Sequence, residues 1–177
     1  MTSASTLAFA VLALATAAQA ETPPAPTMTA AECAVWNRER SFARSIEQGD
    51  GAAFADHVQQ DAVFQAGSPA PHRGRAAVVA AWQPMIRGEF PLRWHPGFVH
   101  IGGNPNIALS YGPAWVENSD PKAPSRYRLG SFVSTWVRDE DGAWRVLFDR
   151  SAQPLKEATA AEVDAVRAAL PKECPLG

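Results

Sequence analysis

The chain has 177 residues, 46% of them hydrophobic, with 16 basic and 18 acidic side chains and a formal charge of −2. This balance offers no basic excess for a nucleic-acid backbone. The length suits one domain with a substantial core.

Leu7 to Ala18 carry no charge and run into Ala18-Gln19-Ala20, a small-x-small cleavage signal. An apolar core of roughly 7–15 residues before such a site reads as a secretory signal peptide, here residues 1–20. The run is shorter than the ~20 residues that a transmembrane helix needs. The residue immediately after Ala20 is Glu21, not a cysteine that could carry a lipid. The expected location is periplasmic or secreted, with no membrane attachment after cleavage. Residues 21–28 (ETPPAPTM) form a Pro-rich leader, expected to be extended and poorly ordered.

Thr29-Ala-Ala-Glu32 is a capping box and predicts a helix to about Gln48. Val35, Glu39, Phe42 and Ile46 fall on one stripe of it, which should face the core. Gly49 ends the helix, and Asp50 caps a short second one from Gly51 to Val58 that buries Phe54. A short strand, Ala62–Gln65, precedes a Gly- and Pro-containing loop from Ala66 to Arg73. Gly74 to Ile86 reads as a helix, with Pro84 marking a kinked or frayed last turn.

From Leu92 the pattern becomes β. Leu92–Ile101 is a strand broken or bulged at Pro96-Gly97, and Ile107–Glu117 is the next, bulged at Pro113. Tyr127–Arg138 and Ala143–Asp149 follow, joined by a tight turn at Asp139–Gly142. The last three make an antiparallel meander. Thr159-Ala-Ala-Glu162 opens a C-terminal helix that Pro171 stops. Three helices followed by such a sheet give an α+β fold in which the helices cover one curved face. A concave, mostly apolar cavity is the expected ligand site. The core domain is expected over residues 29–154, with the C-terminal helix and tail over 155–177.

Cys33 and Cys174 are the only cysteines. In an oxidising compartment they are expected to form a disulfide. Free thiols are the alternative, and a redox or metal role lacks a C-x-x-C and a nearby histidine.

Two acids are the candidate catalytic groups. Glu39 lies on the buried stripe, where a carboxylate is costly unless paired or raised in pKa. It reads as a general base or ligand acceptor, or as half of a salt bridge to a strand arginine. Asp149 ends the last predicted strand, sharing alternation with Arg145 and Leu147 and opposing Trp144, Val146 and Phe148. It reads as a proton-transfer group in an apolar cone, or as an acceptor capping the strand end. The candidate pocket residues are Phe42, Trp82, Trp94, His95, Tyr111, Trp115, Arg128, Ser134 and Trp136. The aromatics would supply apolar walls with polar handles. His95 is a candidate proton carrier. Arg128 would bind a carboxylate or partner one of the acids. The four histidines form no ligand spacing, so no metal site is expected. Phosphate-loop and nucleophile-elbow motifs are absent, and no cofactor is expected.

In order and spacing, several stretches resemble the NTF2-like superfamily, also called SnoaL-like or ketosteroid-isomerase-like, and its DUF4440-type exported branch. They are Glu39-Arg-Ser-Phe-Ala43, Asp50-Gly-Ala-Ala-Phe54, Asp61-Ala-Val-Phe64, Gly74 to Trp82, Phe90 to Pro96, Ala108 to Pro113, Gly130 to Trp136 and Asp141 to Asp149. They cover about Cys33 to Ser151. The resemblance implies an α+β cone with N-terminal helices on a curved antiparallel sheet, in proteins that often form homodimers through the sheet. It leaves three expectations for function. The first is a domain that binds a small, largely apolar molecule. The second is a cofactor-free isomerase or dehydratase using Glu39 or Asp149. The third is a dimeric, non-catalytic interaction module.

Overall fold

The computed structural model describes residues 27–120 and 122–177. The expected signal peptide and all but the end of the Pro-rich leader lie outside the described residues. Helix α1 (Ala30–Glu47) starts at the expected capping box: Glu32 N–H donates to Thr29 Oγ1 at 3.3 Å, and Thr29 N–H donates to Glu32 Oε2 at 2.8 Å. The other Glu32 oxygen accepts from Ile101 N–H, which fastens the helix start to the sheet. Helix α2 (Gly51–His57) is capped by the Asp50 side chain. Strands β1 (Val58–Phe64) and β2 (His72–Arg73) follow, the second inside the segment expected to be loop.

The predicted helix from Gly74 to Ile86 is two helices, α3 (Arg75–Ala81) and α4 (Gln83–Ile86), broken at Trp82. Pro84 lies in the first turn of α4, where its missing N–H leaves no helical bond unmade. The Pro96-Gly97 break divides the next strand into β3 (Leu92–Trp94) and β4 (Phe98–Ile101). Strands β5 (Ile107–Glu117) and β6 (Tyr127–Arg138) match the expected bounds. Strand β7 (Trp144–Glu157) runs eight residues past the expected end at Asp149. Helix α5 (Ala160–Ala169) repeats the capping box with Thr159 and Glu162.

The sheet order is β2-β1-β7-β6-β5-β3, with β4 also paired to β5. All pairs are antiparallel except β1 with β7, so the expected antiparallel sheet is in fact mixed. Register slips between β6 and β7 and between β1 and β7 mark bulges that bend the sheet. On its concave face β5 presents Ala108, Ser110, Gly112 and Ala114, all buried and small. They leave room for the large side chains of α1.

The main core joins α1, α2, α3 and this face through Val35, Phe42, Phe54, Phe64, Val78, Trp94, Trp136 and Val146. Helix α5 lies against β6 on the other side of the domain, burying Val163 apart from that core. Met28, the last leader residue, is buried rather than loose, and its N–H donates to Pro175 O. Cys33 and Cys174 form a disulfide.

Candidate functional site

The concave face and the α3–α4 segment enclose a cavity of about 260 Å³. Trp82, Met85, Phe90, Leu92, Trp94, Phe132 and Leu155 supply its apolar walls. Gln65, Ser131, Asp149, Arg150 and Ser151 supply its polar side. Trp82 and Trp94 meet edge to face at 5.9 Å, with Phe42 packed behind both.

Glu39 lies one helical turn from Phe42 and is fully buried. Its partners are not arginines. Trp94 Nε1–H donates to Oε1 at 2.7 Å, and Trp136 Nε1–H donates to Oε2 at 2.8 Å. Burial pushes its pKa up to about 7, against the pull of the two indole donors. The nearby Asp149 charge raises it further. Ser110 Oγ approaches closely enough to favour the carboxylate weakly, without reaching full hydrogen-bond geometry.

Asp149 reaches the cavity directly. Strand alternation predicts that it opposes Val146, yet Val146 is in the core and Asp149 lines the cavity, so both face inward. The register explains it: Val146 pairs with Trp136 and Phe148 with Thr135, so Leu147 is bulged out and the parity resets. Ser134 Oγ–H donates to Asp149 Oδ2 at 2.7 Å. The carboxyl is surrounded by protein, and the residue keeps solvent contact on its cavity side. Burial pushes its pKa up to about 6, opposed by the Ser134 bond.

The fold therefore brings Glu39, Phe42, Trp82, Trp94, Ser134, Trp136 and Asp149 into one cluster. Four candidates lie elsewhere. His95 is buried against Trp36 with Nδ1 at 2.8 Å from Pro96 O, and burial lowers its pKa to about 4. Tyr111 stacks on Phe98 on the convex face. Trp115 shares strand parity with Tyr111 and is buried outside the main core. Arg128 is half-buried on β6, opposite Val116 and Glu157, and is not among the described cavity residues.

Sequence reasoning missed Gln65, Ser110 and Ser131. Gln65 stands in the left-handed region at φ 55°, its N–H bonded to Asp149 O at 2.7 Å, a conformation that no motif announces. Ser110 was readable in part, since it shares alternation with Ala108 and Ala114. Among the described residues, no group of three or more His, Cys, Asp or Glu side chains could hold a metal ion. None of the described helices is long and apolar enough to cross a membrane.

The SnoaL-like domain family matches residues 39–147 of this chain. No curated protein matches it. Among solved structures, it is similar to an NTF2-like protein of unknown function from Pseudomonas putida KT2440 (17% identity, 76% of this chain and 98% of that one, TM-score 0.59). It is also similar to an NTF2-like protein with a cystatin-like fold from Novosphingobium aromaticivorans (20% identity, 76% and 84%, TM-score 0.54). A third is Rv0760c from Mycobacterium tuberculosis, solved in complex with estradiol-17beta-hemisuccinate (14% identity, 70% and 95%, TM-score 0.53). Identities this low indicate a shared fold.

Proposed function

Because the chain belongs to the SnoaL-like domain family, we propose that it is an exported domain whose cone binds a small, largely apolar molecule bearing one polar group. The observation that carries this is the cavity itself, with aromatic and aliphatic walls and Asp149 as its acid. At about 260 Å³ it falls just below the roughly 300–1,000 Å³ of drug-sized sites. That favours a ligand of one or two rings over a steroid nucleus such as the one in the Rv0760c complex. Export is supported by the signal-like residues 1–20 and is compatible with the disulfide.

The second reading is acid–base catalysis by Asp149 on a carbonyl compound. Its support is the Asp149 carboxyl, raised to about 6 by burial, near the pH at which a general base works best. Exposed Ile107, Leu109 and Phe148 on the convex face favour a homodimer in either case.

Native mass spectrometry of protein recovered from the periplasm reads ligand, copy number and processing together. The expected species begins at Glu21, is dimeric and carries a small retained molecule. A mature chain that is always empty, even with one- and two-ring ketones and phenols added, overturns the binding reading. Asp149→Asn separates the two readings: catalysis predicts loss of turnover with ligand retained, whereas simple binding predicts only weakened retention.

A further inference from the structure

A row of polar side chains crosses the otherwise apolar floor of the cone. Ser110 on β5 stands opposite Ser134 on β6, and Ser134 stands opposite Asp149 on β7. Directly paired residues on one face of antiparallel strands have Cβ atoms about 4.5–5.5 Å apart, so their short side chains are neighbours. Ser134 already donates to Asp149. Ser110 Oγ is fully buried and has no hydrogen-bond partner. A buried hydroxyl in that state is rare and calls for a reason. Glu39 lies over the same row, close enough for Ser110 and Asp149 both to act on its carboxyl.

We propose that Glu39, Ser110, Ser134 and Asp149 form one hydrogen-bonded chain that holds a single proton between the two carboxyls. Glu39 is then a positioning residue and proton reservoir for Asp149. This rests on reading Asp149 as the polar group of the ligand cavity.

Counting donors shows why one proton is the stable number. With the proton on Glu39, its O–H donates to Ser110, Ser110 to Ser134, and Ser134 to Asp149. With the proton on Asp149, all three bonds run the other way. In passing between these states, each of three O–H groups gives its hydrogen to the next oxygen. One proton leaves one carboxyl, one arrives at the other, and the row keeps a charge of minus one. With both acids ionised, the link between the serines is lost and two like charges face each other in an apolar site. With both protonated, one serine hydrogen has no acceptor. Only the singly protonated row keeps all three links with no hydrogen left over.

Neighbouring charges do not disturb this. His57 on α2 stacks on Phe42, and His95 after β3 packs on Trp36. Burial lowers both to a pKa of about 4 and raises both acids, so the histidines stay neutral while the acids titrate. Arg38 on α1 pairs with Asp56, and Arg93 on β3 donates to Leu92 O. Arg40 on α1 is half-buried, and burial lowers its pKa more than the charges of Glu47 and Arg44 move it. Arg128 on β6 pairs in register with Glu157, well along the strand from Ser134, and Arg150 on β7 donates to Ser151 O.

The test is a carbon-13 NMR titration of the side-chain carboxyls in the ligand-free full domain, comparing wild type with Ser110→Ala. In the wild type, the Glu39 and Asp149 signals should each show two steps at the same two pH values, as coupled sites do. Ser110→Ala should leave one step per signal and shrink the separation by about one unit. Single independent steps in the wild type, or unchanged two-step curves in the variant, overturn the chain. Melting temperature gives a second readout. An isolated buried hydroxyl can be deleted with no loss of Tm, whereas a member of the chain cannot. A Tm that holds or rises in Ser110→Ala therefore also overturns it. Ser110→Cys keeps the volume while weakening the donor, so it reports the same loss of coupling if the alanine variant unfolds. Coupled titration in a protein that never retains ligand overturns only the binding reading. Retained ligand with independent titrations overturns only the proton chain.

Discussion

Glu39 holds its place in the core by two indole donors from β3 and β6 rather than by an ion pair. Two donors satisfy two carboxyl oxygens, but they do not replace water for a negative charge, so the group is raised to about 7. Stability then depends on pH with a definite sign. Between the ordinary carboxyl value of 4.5 and about 7, the folded state binds more protons at this site than the unfolded state. Stability is therefore fully present below the unfolded value and is lost as pH rises through the folded one. The shift corresponds to something on the order of 3 kcal/mol. Asp149, raised from 3.8 to about 6, acts in the same direction over a lower window. In Glu39→Gln the amide offers one acceptor oxygen to two buried indoles, so one Nε1–H loses its partner, at about 1–3 kcal/mol. Urea unfolding should show the variant less stable at pH 5 and with a flatter decline from pH 5 to 8 than the wild type. Parallel curves would mean that Glu39 does not carry the dependence.

At the scale of elements, the strands show what the sequence makes legible. Strands β5 and β6 are bounded by turn residues and alternate cleanly, and their predicted ends agree with the structure. Strand β7 continues past Asp149 through the polar run Arg150-Ser151-Ala152-Gln153-Pro154, which carries no strand alternation; its pairing with β6 is what keeps it extended. The Glu39 position follows from helical spacing, but its partners lie 55 and 97 residues away and no local pattern names them. The inward turn of Asp149 depends on the bulge at Leu147, which partner strands impose. The break between β3 and β4 was readable from Pro96-Gly97, but what it requires of β5 was not. There the chain passes so close over Gly112 that a Cβ would overlap the His95 carbonyl oxygen and stand 2.7 Å from Gly97 N. Both neighbours are backbone and cannot swing aside. Gly112→Ala should destabilise by about 3 kcal/mol, the upper end for overpacking. Gly103→Ala, with open space around it, should stay within about 0.5 kcal/mol. Equal denaturation midpoints for the two would show that the crossing relaxes freely.

Across the whole molecule, the two ends of the described chain close on each other outside the cavity. Met28 bridges to Leu176, and Cys33 on α1 is bonded to Cys174 across 141 residues of sequence. Chain entropy gives a loop of that length roughly 4–5 kcal/mol of stabilisation, because the crosslink restricts the unfolded chain. The cavity is lined from other elements: α4 and the break before it, β3, β5, β6 and β7. Reduction should therefore lower stability without reshaping the site. For a domain of this size, about 4 kcal/mol corresponds to a fall in Tm of roughly 8–16 °C. Calorimetry of the mature chain with and without dithiothreitol measures that fall, and the Cys33→Ser, Cys174→Ser double variant controls for reductant effects. Fluorescence of Trp82 and Trp94, which line the cavity, should respond to an added aromatic ketone equally in both redox states at 25 °C. A Tm change under about 2 °C would show that the unfolded chain gains little freedom on reduction. A cavity that loses its ligand response on reduction would instead mean that the Cys33 anchor sets the position of α1, and with it Glu39 and Phe42 behind the aromatic wall.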